Sequence, residues 1–277
     1  MGLPRIATFA EGLPNLSRPL IQNWFRHNPA IRQKADSSPL TQADEAVENA
    51  LREAIAKQFP AHAIMGEEGG MQQKNNSTSP YLWVIDPIDG TRAFATGNPL
   101  FGTIIGVVEG GIPKIGVIDL PMLDQCWLGG WIGEDADAPV TRYNGKTVTT
   151  HPITDITQAR LASTSAAMLG CRHAYDWIDG HSNSVLRRYR DLTDRVRVVN
   201  YGGDCANYAY LANGWCDLVA ETELSPHDIM GVVPIIQGAG GYITQWDGKT
   251  IRMGSFDGTV LASANKKLHD QALSIIA

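Results

Sequence analysis

The sequence predicts a layered α/β protein whose helices pack outside its sheets. Three observations predict this class: an amphipathic helix lies early in the chain, short apolar strands follow Tyr81, and strands alternate with helices through the second half. At 277 residues the chain can bury a substantial core, as one large domain or two modest ones.

The early helix is predicted from the stretch TQADEAVENALREAIAKQF, which follows SSPL. Its apolar residues recur at helical spacing, and Thr41 followed by Asp44 has the pattern of a capping box. The apolar residues between Leu20 and Phe25 indicate another helix ahead of it.

The strands fall into two patterns. YLWVI, GTIIGVV, PKIGVID and QCWLGGW predict an antiparallel meander, because Gly, Pro or Asp turn signals separate them. The later strands RLASTS, RVRVVN, CDLVAE and GYITQW alternate with helices around Ser184 to Arg190, after Asp204 and from Pro226, which is typical of βα units. The segment GEDADAPVTRYNGKTVTTHP separates the patterns. We expect an N-terminal α+β half at residues 1–145 with most metal ligands, and an α/β half at 146–277, forming one compact unit.

Composition excludes several classes of partner. Lys plus Arg number 23 and Asp plus Glu 29, which gives a net charge of −6 mixed along the chain, so neither nucleic acid nor a membrane is expected as the main partner. The four cysteines show neither C-x-x-C pairing nor metal-finger spacing, and this favours reduced thiols. Because no apolar signal core or long apolar stretch is visible, we expect a soluble cytoplasmic protein.

Two acids follow the YLWVI strand. Asp86 ends it, Pro87 is expected to stop the hydrogen-bond ladder there, and Asp89 follows one short turn later. Carboxylates this close repel each other unless protons or a cation intervene, and a hard divalent cation prefers oxygen ligands. The alternative is that both acids are turn formers, since Asp-Gly is a common turn pair.

The residues after these acids add a second feature. Gly90 and Thr91 precede RAF, which can begin a helix, and free amide groups at a helix start bind phosphate well. Thr91 could hydrogen-bond an attacking water, or cap the helix, or do both. Metal ligands beside a phosphate cradle indicate phosphoryl chemistry.

Further acids lie elsewhere in the chain and have structural alternatives. AIMGEEGG places Glu67 and Glu68 in a Gly-flanked loop, and we expect Glu67 to be the ligand because neighbouring side chains in an extended segment point apart. Asp228 lies three residues after Ser225, a capping arrangement that leaves both a capping and a metal role open. Asp44 has the same ambiguity.

Four motifs in order, KADSSPLTQAD, GEEGG, DPIDGT and SPHD before a helix ending in GAGG, resemble the inositol monophosphatase family over nearly the whole chain. The resemblance implies a layered αβαβα sandwich of the inositol monophosphatase and fructose-bisphosphatase type. It also implies a lithium-sensitive, magnesium-dependent hydrolase of phosphate monoesters that forms a homodimer.

The resemblance also implies the ligands of the metal. Glu67, Asp86 and the backbone carbonyl of Ile88 would bind one ion. Asp86, Asp89 and Asp228 would bind a second ion near the leaving oxygen, so two or three Mg²⁺ are expected per site. This set would explain why the strand ends in two acids.

Catalytic and phosphate-binding roles come from the same resemblance. Asp44 and Thr91, together with Glu67, would orient or deprotonate the nucleophilic water. The amides of Gly90 and Thr91 would cradle the phosphate. Arg92 either approaches the phosphate or is a solvated residue at the start of a helix.

The substrate is predicted from the second half, where NYGGDCANYAYLANGWCDLVAE looks most like the histidinol-phosphate phosphatase branch of this family. Asp204 and Glu221 would put two carboxylates near the leaving group, and carboxylates favour a cationic partner. Asp204 is alternatively a helix cap. His227 stands where many relatives have Trp, which makes transfer of inositol specificity less safe.

Competing functions remain open from sequence. The same site could hydrolyse inositol 1-phosphate or a broad set of sugar and nucleotide phosphates. A phosphatase-like binding protein without catalysis is a third possibility. No activated cysteine, Ser-His-Asp order or H-x-x-x-H spacing is visible, so each of the seven histidines is expected to be structural.

Overall fold

The computed structural model describes residues 2–26, 32–33, 39–40, 42–73, 78–133, 138–165 and 184–277. Thr41, most of the KADSSPLTQAD motif and residues 134–137 of the predicted junction lie outside them. Within the described ranges, no helix has both the length and the apolar composition required to span a bilayer.

Helices and strands are numbered in chain order. The helices are α1 (Leu3–Gly12), α2 (Pro14–Trp24), α3 (Gln42–Gln58), α4 (Thr91–Thr96), α5 (Ser184–Thr193), α6 (Cys205–Ala212), α7 (Pro226–Ile229), α8 (Val232–Gly238) and α9 (Lys266–Ile276). The strands are β1 (Arg32–Gln33), β2 (Pro39–Leu40), β3 (Ala63–Gly66), β4 (Gly70–Gln72), β5 (Tyr81–Asp89), β6 (Gly102–Glu109), β7 (Ile112–Leu120), β8 (Gln125–Gly130), β9 (Val140–Tyr143), β10 (Lys146–Thr147), β11 (Arg160–Ser163), β12 (Val198–Tyr201), β13 (Leu218–Glu221), β14 (Tyr242–Thr244) and β15 (Val260–Ser263).

The larger sheet contains the predicted meander. Its strands lie in the order β10-β9-β8-β7-β6-β5-β3-β4, and β5 to β8 pair antiparallel with their sequence neighbours as expected. Only the β3–β5 pair among the described strands of this sheet is parallel. Helix α3 precedes β3 in the chain, and its buried residues pack against β5 of this sheet.

Each face of the larger sheet is buried against helices. In β5, Trp83 and Ile85 pack on the side of α1, α2 and α3, while Val84 packs on the opposite side with α6 and α8. This alternation follows from the two-residue period of a strand, and burial on both faces explains why YLWVI is apolar throughout rather than alternating.

A smaller five-stranded sheet completes the layers. Its order is β12-β11-β13-β15-β14, with β11 parallel to both β12 and β13. One face packs with α6 and α8, and the other with α5 and α9. The layers therefore run helices, sheet, helices, sheet, helices, which confirms the predicted αβαβα sandwich.

Glycines in the larger sheet let the link between α7 and α8 come very close. A Cβ on Gly116 would lie 1.7 Å from the carbonyl oxygen of Gly231, and one on Gly106 would lie 2.8 Å from the Gly231 amide nitrogen. The strand sequences GTIIGVV and PKIGVID thus carry glycine where backbone packs directly on backbone. This contact fixes α7, which carries Asp228, against the sheet.

Candidate active site

A β-bulge at the end of β5 brings Asp86 and Asp89 to one side of the strand. Asp86 pairs with Ile104 and Asp89 with Gly102, so three steps on β5 oppose two steps on β6. Without the extra residue, side chains three positions apart would lie on opposite faces. The expectation that Pro87 ends the ladder at Asp86 was therefore wrong, because the strand absorbs the proline in the bulge and resumes pairing at Asp89.

The structure brings four sequence-predicted acids together. Ligand atoms of Asp86, Asp89 and Asp228 lie within 4.8 Å of one another. Glu67 and Asp86 form a second such group with His227, a residue that the sequence analysis expected to be structural like the other histidines. Asp86 is only 2% exposed, and its Oδ1 accepts no hydrogen bond from any described residue.

Asp228 combines a cap with a place in this cluster. The Ser225 amide donates to Asp228 Oδ2 at 2.6 Å, which completes the predicted capping box at the start of α7. Asp228 Oδ1 lies 3.5 Å from His227 Nε2. One oxygen is thus committed to the backbone, so the cap orients the carboxylate instead of competing with a role at the cluster.

The turn that carries Glu67 is organised by a buried acid that sequence reasoning missed. Glu48, on α3, accepts hydrogen bonds from the amides of Glu68 and Gly69, each at 2.8 Å, and from Arg52 Nε at 2.6 Å. A Cβ on Gly66 would lie 2.4 Å from the Glu48 carboxylate, which explains a glycine before the two acids.

Burial and mutual repulsion disfavour the charged form of these acids. Burial, then the charges of Asp89 and Glu67, raises the pKa of Asp86 well above its ordinary value. Burial followed by the charges of Asp204 and Asp228 does the same to the pKa of Asp89. Burial also raises the pKa of Asp228, although His227 opposes it. A divalent cation would remove this repulsion, so the donor set fits a hard metal ion.

The predicted phosphate loop follows the bulge directly. Gly90 has φ +88° and precedes α4, whose first residue is Thr91, as the RAF sequence indicated. Thr91 Oγ1 donates to the Ile88 carbonyl at 3.1 Å, which ties the loop to the bulge. Asp44 is buried in the first turn of α3, and its charge contributes to the raised pKa of Asp86.

A cavity of about 230 Å³ joins the acids to this loop and to the second half of the chain. Its lining residues are Glu67, Asp86, Ile88, Asp89, Gly90, Thr91, Arg92, Thr164, Asp204, Glu223 and Asp228. Thr164 and Glu223 were not predicted from sequence. Both follow the C-terminal ends of parallel strands, β11 and β13, which is where open α/β sheets bind ligands.

Asp204 lies at the start of α6 but does not cap it through its side chain. The amide of Cys205 instead donates to Asp89 Oδ2 at 2.5 Å. Asp204 has φ +45°, and its Oδ2 would lie 2.9 Å from a Cβ built on Gly90, so its carboxylate packs over the phosphate loop. Burial and the charge of Glu221 raise the pKa of Asp204 to about 7, against the opposing charge of Arg92.

Glu221 ends β13 and is almost fully enclosed. Its Oε1 accepts hydrogen bonds from the amide and hydroxyl of Thr164, at 2.8 and 2.6 Å, and its Oε2 accepts one from the Tyr208 hydroxyl at 2.7 Å. Glu221 lines a smaller cavity of about 70 Å³, which Asp204 also lines. Burial raises the pKa of Glu221 although these bonds oppose it.

This fold and this acidic cavity define a class of protein, the metal-dependent phosphatases built on an αβαβα sandwich. The chain belongs to the inositol monophosphatase family, whose model matches residues 6–277. The predicted family is thereby confirmed, and the chain is a phosphatase of this family.

Individual relatives agree with this assignment. The chain is 38% identical to a bifunctional phosphatase IMPL2, chloroplastic, of Arabidopsis thaliana, over 98% of this chain and 75% of that one. It is 31% identical to a histidinol-phosphatase of Mycobacterium tuberculosis, over 88% of this chain and 86% of that one. A solved inositol monophosphatase from Zymomonas mobilis superimposes with a TM-score of 0.82 at 32% identity, covering 100% of this chain and 99% of that one.

Proposed function

We propose that this protein is a Mg²⁺-dependent histidinol-phosphate phosphatase, which hydrolyses L-histidinol phosphate to L-histidinol and phosphate. The observation that carries the proposal is the Asp204 carboxylate packed over Gly90, in the same cavity that the acid cluster lines. A monoester with its phosphate at the loop would place its alcohol portion beside Asp204.

The acid cluster supplies the ligands for magnesium. Glu67, Asp86 and the Ile88 carbonyl would hold one ion, and Asp86, Asp89 and Asp228 another, since the carboxylates converge and one Asp86 oxygen lacks a hydrogen bond. When bound, the metal would neutralise phosphate charge and lower the pKa of water.

Protein groups on the loop would orient the reactants. The Thr91 hydroxyl donates to Ile88, so its oxygen can still accept a hydrogen bond from water, and Asp44 would take the proton with help from Glu67. The first amides of α4 have no partner inside the helix and would donate to phosphate oxygens. Arg92 lines the same cavity and would add positive charge there.

The carboxylates of the cavity favour a substrate whose alcohol portion is cationic, such as histidinol phosphate, over the phosphate ester of a neutral polyol. An amine and an imidazolium give charge-assisted hydrogen bonds to carboxylates, and the cavity has Asp204 at this position, with Glu221 behind it. One of the relatives described above is a histidinol-phosphatase, which supports the same substrate class.

The test is phosphate release from purified protein with and without Mg²⁺, using histidinol phosphate and inositol 1-phosphate. We expect a preference of roughly a hundredfold in kcat/KM for histidinol phosphate. Asp204→Asn should lower kcat/KM for histidinol phosphate far more than it lowers kcat/KM for glycerol phosphate. Comparable kcat/KM values would favour a broad-specificity phosphatase or an inositol monophosphatase, the latter being the function named for the Zymomonas structure. Absence of Mg²⁺-dependent release would favour a binding protein.

The same proposal extends to the biological setting. We infer a homodimer that is inhibited by lithium, as the family resemblance implied, and that acts in the cytoplasm in histidine synthesis. Light scattering during size-exclusion chromatography measures the mass, for which twice 30.1 kDa is expected. A mass of one chain at micromolar concentration would contradict the dimer.

A further inference from the structure

Glu223 occupies an unusual position at the edge of the cavity. It lies two residues beyond the end of β13, its side chain is exposed, and it lines the cavity of about 230 Å³ together with Asp204 and Thr164. The motifs that predicted the other acids did not include it. Its charge therefore faces the volume that the proposed function assigns to the alcohol portion of the substrate.

The backbone at Glu223 is in the left-handed region. Its φ is +61°, where glycine is the favoured residue and a side chain with a Cβ costs stability. The following residue is fixed, because the Leu224 amide donates to the Gly258 carbonyl at 3.1 Å. Such a conformation in a residue other than glycine is frequent at ligand-binding sites. A glutamate in this conformation therefore indicates that its carboxylate contacts a ligand.

The neighbouring acid Glu221 is poorly placed to contact a ligand in the larger cavity. It is 2% exposed, and its two oxygens already accept three hydrogen bonds from Thr164 and Tyr208. Those bonds make it a support for the Thr164 segment. Glu223 and Asp204 are then the carboxylates that the larger cavity presents on its leaving-group side.

We propose that Glu223 is a specificity-determining residue that binds the cationic part of the leaving alcohol. This inference rests on the proposed function, since it names the residue that contacts the amine or imidazolium of histidinol phosphate. The carboxylate would receive a charge-assisted hydrogen bond from the substrate, and a neutral polyol would gain much less from the same contact.

Two substitutions separate recognition from a structural role. Glu223→Gln keeps the size and the backbone conformation but removes the charge. Glu223→Gly removes the side chain and suits the left-handed φ, so we expect it to unfold at a higher temperature than the unchanged protein. Glu53→Gln, on the exposed side of α3, is the matched control.

The measurement is kcat/KM for histidinol phosphate divided by kcat/KM for inositol 1-phosphate. We expect both Glu223 variants to lower this ratio about tenfold, mainly through KM for histidinol phosphate, while Glu53→Gln leaves it unchanged. A preference in the unchanged protein that survives in both variants would overturn the inference alone. A protein that shows no preference at all would overturn the proposed function, and this inference with it.

Discussion

Replacing Asp86 with asparagine should remove metal binding yet stabilise the metal-free protein. Asp86 is buried among acids, and its Oδ1 accepts no hydrogen bond from the described residues. Asparagine has nearly the same shape and carries no charge. It therefore removes repulsion with Asp89 and Asp228 while leaving the packing of the bulge intact.

The size of the effect follows from the distances in the cluster. Carboxylate oxygens that lie within 4.8 Å of each other repel by at least about 3.5 kcal/mol at an effective dielectric constant of about 20. Proton uptake relieves part of this repulsion, because burial and the neighbouring acids raise the pKa of Asp86. We therefore expect Asp86→Asn to add about 2 kcal/mol to the free energy of unfolding without metal, or roughly 4 °C in Tm.

Thermal unfolding with and without Mg²⁺ measures both effects. Wild-type protein should gain stability when Mg²⁺ is added, because an ion that binds only the folded state stabilises it. Asp86→Asn should start from a higher Tm, gain little from Mg²⁺ and release almost no phosphate. Asp191→Asn, an exposed change on α5, is the control for replacing an acid with its amide.

A lower Tm for Asp86→Asn in the absence of metal would refute this reasoning. It would mean that the ionised Asp86 makes a stabilising contact. It would also mean that repulsion among the converging acids does not destabilise the metal-free protein. An unchanged response to Mg²⁺ would refute the metal site instead. The two results are read from different samples and are therefore distinguishable.

Two further predictions test the surroundings of the cluster, and a third tests His269, which is buried on α9. Glu48→Gln should weaken Mn²⁺ binding, measured by calorimetry, at least tenfold by loosening the turn that carries Glu67, whereas unchanged affinity would contradict this. Gly116→Ala should cost about 1–3 kcal/mol in urea unfolding and reduce phosphate release, but Gly12→Ala, whose Cβ meets open space, should do neither. Burial lowers the pKa of His269 from 6.5 to about 4, so about 3 kcal/mol of stability, fully present above pH 6.5, should be lost as pH falls through 4, and His269→Gln should lose less.

The fold was predictable because its signals are local and repeated. Apolar strands with turn residues between them gave the larger sheet, and βα alternation gave the smaller one. The positions of the acids in GEEGG, DPIDGT and SPHD left turn or capping roles open, and the resemblance to the inositol monophosphatase family implied that they share one metal site. The structure brings Glu67, Asp86, Asp89 and Asp228 together, while their individual roles stay predictions.

The rest of the site depends on contacts between distant residues, which no local pattern reveals. Aspartate is a favoured helix cap, so the sequence left a capping role open for Asp204. In the structure, the first amide of α6 donates instead to Asp89, which lies in the larger sheet. In the sequence, Glu48 is one of several acids on a predicted helix. Its role becomes visible only in the structure, where the GEEGG turn donates hydrogen bonds to it. The left-handed φ of Glu223 has no sequence signal, because such positions are ordinarily glycine.

The acids that repel each other come from both halves of the chain, so the contact between the halves must withstand that repulsion. Asp86 and Asp89 belong to the larger sheet, whereas Asp228 is carried by α7 from the second half. Direct backbone packing of Gly231 on Gly116 and the Cys205–Asp89 hydrogen bond hold the two together. Rigid backbone contacts resist this repulsion better than flexible side chains do. If the supporting segments could move, the converging acids would move apart. The loss of phosphate release expected for Gly116→Ala would therefore arise from a displaced Asp228, although Gly116 itself touches no substrate.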